Sequence, residues 1–383
     1  MKIIRVAVVI VIFMLAVTPL SACNKAPLAG PFSKIVAGQY QSIALKTDGT
    51  VWIWGWVTTQ SSKTTLSFRS EPLPVQVAGI EAIIDIDTNL RVFAAVRADG
   101  TVYVWGDTHS GQAGYSSTEY VMKPTRIAEL DSVVSVSVGA SHILAIKSDG
   151  TVWAWGSNNY GQLGNGTLED SNIPVQVQNL SSVIEIATGW SHSVALNSDG
   201  TVWAWGYNWR GCLGDVDLER SAKPIMVRGI SEVVSISSRT IHVVALKEDG
   251  TVWAWGDNNS GQIGAYKGDF PDQITHKPQI IDLPIKAVSV DAASGRTLIV
   301  LADGTVFGLG QPGYGIPFDP LDRNTPTRIP NLSGIVAVSD GGYHMLALNS
   351  EGYVLALGTN EFGQLGHKTG SAMHYMPVYV REK

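Results

Sequence analysis

Four histidines, His142, His192, His242 and His344, recur at one phase of a repeated pattern. Imidazole is suited both to binding a metal and to moving a proton near neutral pH. Metal binding requires convergence, with ligands about 2 Å from one ion. Equivalent positions of successive repeats are spread apart by the repeat itself, and the same phase holds Gln41, Val92 and Arg296 in the other copies. Each histidine is therefore expected to hydrogen-bond a turn of its own repeat. Asp257-Asn258-Asn259-Ser260-Gly261 has the look of a calcium loop but lacks its spaced carboxylates and terminal glutamate. Gly161-Gln162-Leu163-Gly164-Asn165-Gly166 is glycine-rich, yet no helix follows to aim its N-terminus at a phosphate. Neither a metal nor a cofactor is expected. No Gly-x-Ser-x-Gly or His-Glu-x-x-His motif is present, and the acids read as hairpin aspartates or dispersed surface residues. An enzyme assembled from loops of several repeats, a hydrolase or lyase on carbohydrate, is the alternative to a binding function.

Cys23 offers chemistry of another kind. Lys2 and Arg5 precede an apolar run of twelve residues, 6–17, which is shorter than the roughly 20 a membrane span needs. Leu20-Ser21-Ala22-Cys23 follows and resembles the bacterial lipobox, in which a cysteine thiolate accepts a lipid and the chain is cut before it. Residues 1–22 are thus expected to be a lipoprotein signal peptide and 23–31 a short tether. Residues 32–383 are expected to form the folded domain. The expected location is that of an exported bacterial lipoprotein, membrane-anchored at the cell envelope through Cys23. Cys212 then has no partner, which excludes a disulfide framework.

With residues 1–22 removed, 25 basic residues face 33 acidic ones, a formal charge of −8. Such a chain has no basic field for phosphates, so nucleic acid is excluded as a partner. The 45% of hydrophobic residues excludes disorder as the general state.

The elements that position these residues come from the repeat. Asp-Gly recurs at Asp48, Asp99, Asp149, Asp199, Asp249 and Asp303, and Glu351-Gly352 makes a seventh copy. The intervals are 51, 50, 50, 50, 54 and 48 residues. A period near fifty marks a solenoid or a propeller. Within one copy, 133–138, 143–147, 151–155 and 175–177 read as four short strands. Asp-Gly between the second and third is expected to form a two-residue type I′ hairpin. The repeats begin with a first strand at 33–37 and end on a fourth-strand motif at 377–380, with no polar cap at either limit. The predicted fold is all-β: a seven-bladed β-propeller of about four antiparallel strands per blade, closed by the N- and C-terminal repeats meeting.

Gly189 to Gly214 carries Gly-x-x-His-x-x-Ala-Leu-x-x-Asp-Gly-x-Val-x-x-Trp-Gly-x-Asn-x-x-Gly-x-Leu-Gly, with Cys212 where glutamine is usual. This resembles the repeat of the regulator of chromosome condensation family, over nearly all of 32–382. The resemblance implies a seven-bladed propeller. It does not imply that family's nucleotide exchange on a small GTPase or its nucleosome docking, which an exported acidic lipoprotein would not meet. Exported bacterial propellers that inhibit β-lactamases look similar, and there one rim of the ring binds a protein.

In an antiparallel four-stranded blade the first and third connections emerge on one face. That rim is expected to carry Gln39, Tyr40, Leu90, Arg91, Trp190, Arg239, Thr240 and Arg296 from first connections. Tyr115, Tyr160, Trp209, Arg210 and Phe362 come from third connections. Departures from the repeat at 56–71, 266–276 and 312–323 fall on the same face. Aromatic residues and arginine dominate protein interfaces. The candidate partner-binding residues are Tyr40, Trp56, Arg91, Trp190, Trp209, Arg210, Arg239 and Arg296. The expected function is that of a monomeric scaffold that binds an envelope or extracellular protein.

Overall fold

A computed structural model describes residues 31–60, 66–114, 120–215, 217–264, 274–311, 316, 322–368 and 372–381. Among the described residues, strands form seven separate four-stranded antiparallel sheets, each in sequence order. Blade 3 is typical, with strands Val133–Val138, His142–Lys147, Val152–Gly156 and Ser171–Gln176. The others occupy 32–76, 83–126, 183–226, 233–281, 287–328 and 335–379, making blades 1, 2 and 4 to 7 in order. The all-β, seven-bladed fold is the one the repeat predicts.

The hairpin differs from expectation. Gly49 N donates to Lys46 O and Lys46 N to Thr50 O, which closes a three-residue loop. Only glycine takes positive φ there, +80° at Gly49. The turn is therefore type I followed by a left-handed glycine, not type I′. Asp48 Oδ1 accepts from Thr50 N and Oγ1 at 2.9 and 2.6 Å. The aspartate thus holds the loop through its side chain, where the reading from sequence required positive φ. Gly49 O accepts from Ile83 N, where the next blade begins. Hairpins and blade-to-blade links therefore share one face.

The core is made of contacts between blades. Among the described residues, seven apolar clusters fill the seven interfaces. One joins Phe32, Ile35 and Trp54 of blade 1 to Leu346, Val354 and Leu365 of blade 7, so the ring closes without exchanging a strand. Trp54, Trp155, Trp205 and Trp255 are fully buried. Each indole donates to a loop carbonyl of the preceding blade: Gln364, Gln112, Gln162 and Cys212, at 2.9 to 3.0 Å.

The histidines make a second stitch, and it runs to the neighbouring blade instead of a turn in their own. His142 Nε2 meets Ser193 Oγ at 2.9 Å, His242 Nε2 meets Thr297 Oγ1 at 3.1 Å, and His344 Nε2 meets Ser42 Oγ at 2.7 Å. Each hydroxyl donates onward to a glutamine carbonyl, that of Gln162, Gln262 or Gln364. The hydroxyl therefore accepts from the ring, which fixes the proton on Nε2 and leaves Nδ1 buried without a partner. Gly-x-x-His spacing follows from packing: a Cβ on Gly139 would lie 2.7 Å from the His142 ring.

Candidate functional site

The innermost strands surround a central cavity of about 330 Å³. Each innermost strand is the free edge of its sheet, and its N–H groups need acceptors. Carboxylates from the preceding blade supply them. Asp85 Oδ2 accepts from Val136 N at 3.0 Å, Asp87 Oδ2 from Val138 N at 2.6 Å, Glu185 Oε2 from Ile236 N at 3.0 Å, and Asp291 Oδ2 from Asp340 N at 2.7 Å. These acids are gathered on one axis, contrary to the dispersed surface placement expected from sequence. Their signal was a polar residue recurring in an otherwise apolar first strand. Burial pushes Glu185 and Asp291 up to about 7 and raises Asp87. Lys34 pairs with Asp85 at 2.6 Å. Burial works against the Lys34 charge, but Asp85 and Asp87 together outweigh it and hold the ammonium above its ordinary pKa.

Two of the predicted binding residues belong to the frame instead. Arg296 is 1% exposed. Its Nε and Nη2 donate to Asp340 Oδ2 and Oδ1, each at 2.6 Å, and Nη2 also donates to Gly342 O. Its guanidinium is consumed inside the fold, which corrects its placement on the binding rim. Arg239 Nη1 donates to Thr88 O at 2.9 Å, a bond from blade 5 to blade 2 that spans the channel mouth.

The remaining six form two aromatic groups on the rim. Tyr40 stacks on Tyr343 at 4.6 Å and meets Trp56 and Phe362 edge-on at 5.4 and 5.3 Å. Phe362 stacks on Trp56 at 4.7 Å, and the Arg91 guanidinium lies 4.8 Å from the Trp56 ring. This group is half-buried and packs largely on itself, across blades 7, 1 and 2. Trp56 also begins a long hairpin, since its strand Val51–Gln60 pairs with Leu66–Gln76. The first departure from the repeat is thus an extension of two strands. Cys23, residues 1–30, Tyr115 and most of 266–276 and 312–323 lie outside the described residues.

The second group is open to solvent. Trp190 and Trp209 are 49% and 42% exposed. Their rings lie 5° from parallel with centroids 6.5 Å apart. Tyr160 stacks on Tyr207 at 4.2 Å beside them. Together with His192 and Cys212 these residues bound a cavity of about 270 Å³. Arg210 sits 5.6 Å from the Trp209 ring, with its Nε 3.7 Å from Asp257. Tyr207 was missed from sequence because it ends a strand, Val202–Tyr207, where the repeat reads as framework. His192 is neutral, held at about 3 by burial. Burial likewise pushes the Cys212 thiol up. Among the described residues that line this cavity none is ionised, and its walls offer flat aromatic surface.

A profile of the RCC1-like domain matches residues 15–299. The chain is 35% identical over 94 residues to the Regulator of chromosome condensation of Drosophila melanogaster, covering 24% of this chain and 17% of that one. It is 29% identical over 126 residues to Protein pim1 of Schizosaccharomyces pombe, covering 28% and 23%. It thus spans less than a quarter of the length of these relatives. Among solved structures, human WBSCR16 superposes with TM-score 0.74 at 20% identity, covering 87% of this chain and 94% of that one. Prp20p of Saccharomyces cerevisiae superposes at 0.67 and 24% identity, covering 81% and 80%. Yeast RCC1 (Prp20) bound to Kap60 gives 0.73 at 19%, covering 95% and 91%.

Proposed function

The chain belongs to the RCC1-like domain family, and from that premise we propose that it is a binding module that holds another protein on the rim carrying Trp190 and Trp209. A solved relative, Prp20p, is described through its binding to Gsp1p and histones, and the yeast protein is also seen bound to Kap60. Protein binding is the part of that description the present chain is proposed to share. The observation that carries the reading is the exposed, near-parallel indole pair. Monomers rarely leave such rings half in water unless something covers them, and tryptophan is the residue most enriched where binding energy concentrates.

The proposal includes the anchor. Residues 1–22 direct export, Cys23 takes lipid, and the domain stands at the cell envelope. Strand Phe32–Ala37 starts on the hairpin face, where Phe32 N donates to Gly352 O. A tether leaving there turns the opposite rim away from the membrane.

Two experiments test this. In a bacterial host, the full chain is expected to incorporate labelled palmitate and the Cys23→Ser variant to lose it; equal labelling of both would overturn the anchor. Affinity capture from the envelope of the source cells should retain one partner with the wild type and lose it with Trp190→Ala/Trp209→Ala. Retention by that variant, at unchanged melting temperature, would remove this rim from the proposal.

A further inference from the structure

Blade 1 departs from the others in what its third connection does for the seam that follows it. In blades 3, 4 and 7 that connection carries a Leu-Gly pair into the seam. Leu163, Leu213 and Leu365 are fully buried there, and the residue before each gives its carbonyl to the next blade's indole. The glycine that follows, Gly164, Gly214 or Gly366, takes φ of 66°, 71° or 62°. A Cβ at these glycines would lie 2.8 to 2.9 Å from a valine methyl, and at Gly164 and Gly366 it would lie 2.7 and 3.0 Å from the indole nitrogen. Ile263 and Ile316 fill the seams after blades 5 and 6. In blade 1 the stretch between the paired residues Gly55 and Glu71 runs instead into the extended hairpin. None of its described residues joins the apolar cluster between blades 1 and 2. A cavity of about 420 Å³ stands in that place, bounded by Val57, Val77, Phe93, Trp105, Val121 and Met122. Val77 N donates to Val51 O as Val177 N does to Val152 O, so Val77 and Trp105 are the counterparts of Val177 and Trp205, which close on Gly164 in blade 3. Trp105 is 5% exposed and stacks on Phe93 at 5.4 Å. Among the described residues its Nε1 meets no acceptor. The Leu-Gly plug is thus absent from one seam while its socket is kept.

We propose that this socket binds a partner protein through a turn reading x-Leu-Gly. The leucine fills the cavity, the glycine passes between Val77 and Trp105, and the carbonyl before the leucine accepts from Trp105 Nε1. The molecule itself supplies the evidence for this occupant, because three of its own seams hold that turn against the same two groups. Glycine is required where the backbone takes positive φ and a Cβ would strike the valine. An acyl chain would fill the same space but leave the indole N–H desolvated without an acceptor. A sugar would set its hydroxyls against Val57, Phe93 and Val121, which offer no partner. The site lies between blades 1 and 2 and is separate from Trp190 and Trp209 of blade 4.

The test labels the full chain, in mild detergent, with 5-fluorotryptophan and follows the fluorine resonance of Trp105, assigned with Trp105→Phe. The probe is the blocked peptide Asn-Tyr-Gly-Gln-Leu-Gly-Asn-Gly, the sequence of residues 159–166. The same peptide with serine in place of leucine, and decanoate, run in parallel. Saturable movement of the Trp105 resonance is expected with the leucine peptide, and binding at least tenfold weaker with the serine form. Val57→Phe, which narrows the cavity, should weaken the leucine peptide at least tenfold at a melting temperature unchanged or higher; if that variant melts lower, the comparison of the two peptides on the wild type decides. A Trp105 resonance that stays still at millimolar peptide, equal binding of the serine form, or movement caused by decanoate or detergent in place of the peptide would overturn the proposal. Capture by the rim of Trp190 and Trp209 can fail without changing any of these results, so the two readings are refuted separately.

Discussion

His142→Gln should cost less stability at pH 5.5 than at pH 7.5, and the difference can be worked from its surroundings. His142 is wholly buried, its Nε2 proton is committed to Ser193, and its Nδ1 faces no acceptor. A second proton would bury an unpaired charge, and burial accordingly holds the ring at about 3 against an ordinary 6.5. The unfolded chain takes up that proton below pH 6.5 and the folded chain does not. Stability from this group is therefore complete above pH 6.5 and is lost as pH falls toward 3. Between pH 7.5 and 5.5 the loss is about 1.4 kcal/mol for one such histidine. Glutamine does not titrate, and Gln41 already occupies this phase in blade 1. Whatever the substitution costs at pH 7.5, it should cost about 1.4 kcal/mol less at pH 5.5. Urea unfolding followed by tryptophan fluorescence at both pH values gives the two differences by linear extrapolation. The channel carboxylates cancel, since both proteins carry them. An unchanged difference, with m-values preserved, would show that His142 titrates alike in both states and would refute the burial argument.

Three further outcomes follow from the same packing. Arg296→Met should destabilise by about 3–5 kcal/mol in urea unfolding, because Asp340 is left buried and unpaired; a loss under 1 kcal/mol would mean that water reaches the pair. Trp205→Ala should cost about 3–5 kcal/mol through the cavity it leaves, while exposed Trp209→Ala should stay within about 0.5 kcal/mol. Equal costs would place Trp209 in the core. Glu185→Gln should gain melting temperature relative to wild type as pH rises from 4.5 to 7. The fold disfavours the Glu185 charge, which the unfolded chain acquires from pH 4.5 upward, and a gain on acidification instead would refute its raised pKa.

The repeat made the architecture legible because Asp-Gly, Trp-Gly and Gly-x-x-His each serve a local need: a turn, a buried indole, space for a ring. What the repeat could not disclose is which blade a side chain reaches. The histidines were assigned to their own turns because sequence distance favours near partners, yet their hydroxyl partners lie about fifty residues away in the next blade. Arg296 and Asp340 show the same limit. Each departs from the repeat in its own blade, and only the propeller's geometry sets the two departures face to face. The rim was legible by face and partly by residue. Trp190 and Trp209 could be named, but Tyr207, which closes a strand and stacks on Tyr160 beside them, could not.

The interface between blades 7 and 1 uses the same parts as those between other blades. Ser42 joins His344, the Trp54 indole reaches Gln364 O, and Ala37 N donates to Ser339 Oγ. Among the described residues no strand from one end of the ring completes a blade at the other, so the ring has no mechanical zip at which it must be fastened last. The covalent break between Tyr379 and Phe32 is then interchangeable with the short links that join every other pair of blades. Blade order along the gene becomes a matter of where reading starts, and a circularly permuted chain, rejoined at that break and opened between blades 3 and 4, has the same set of seams to close.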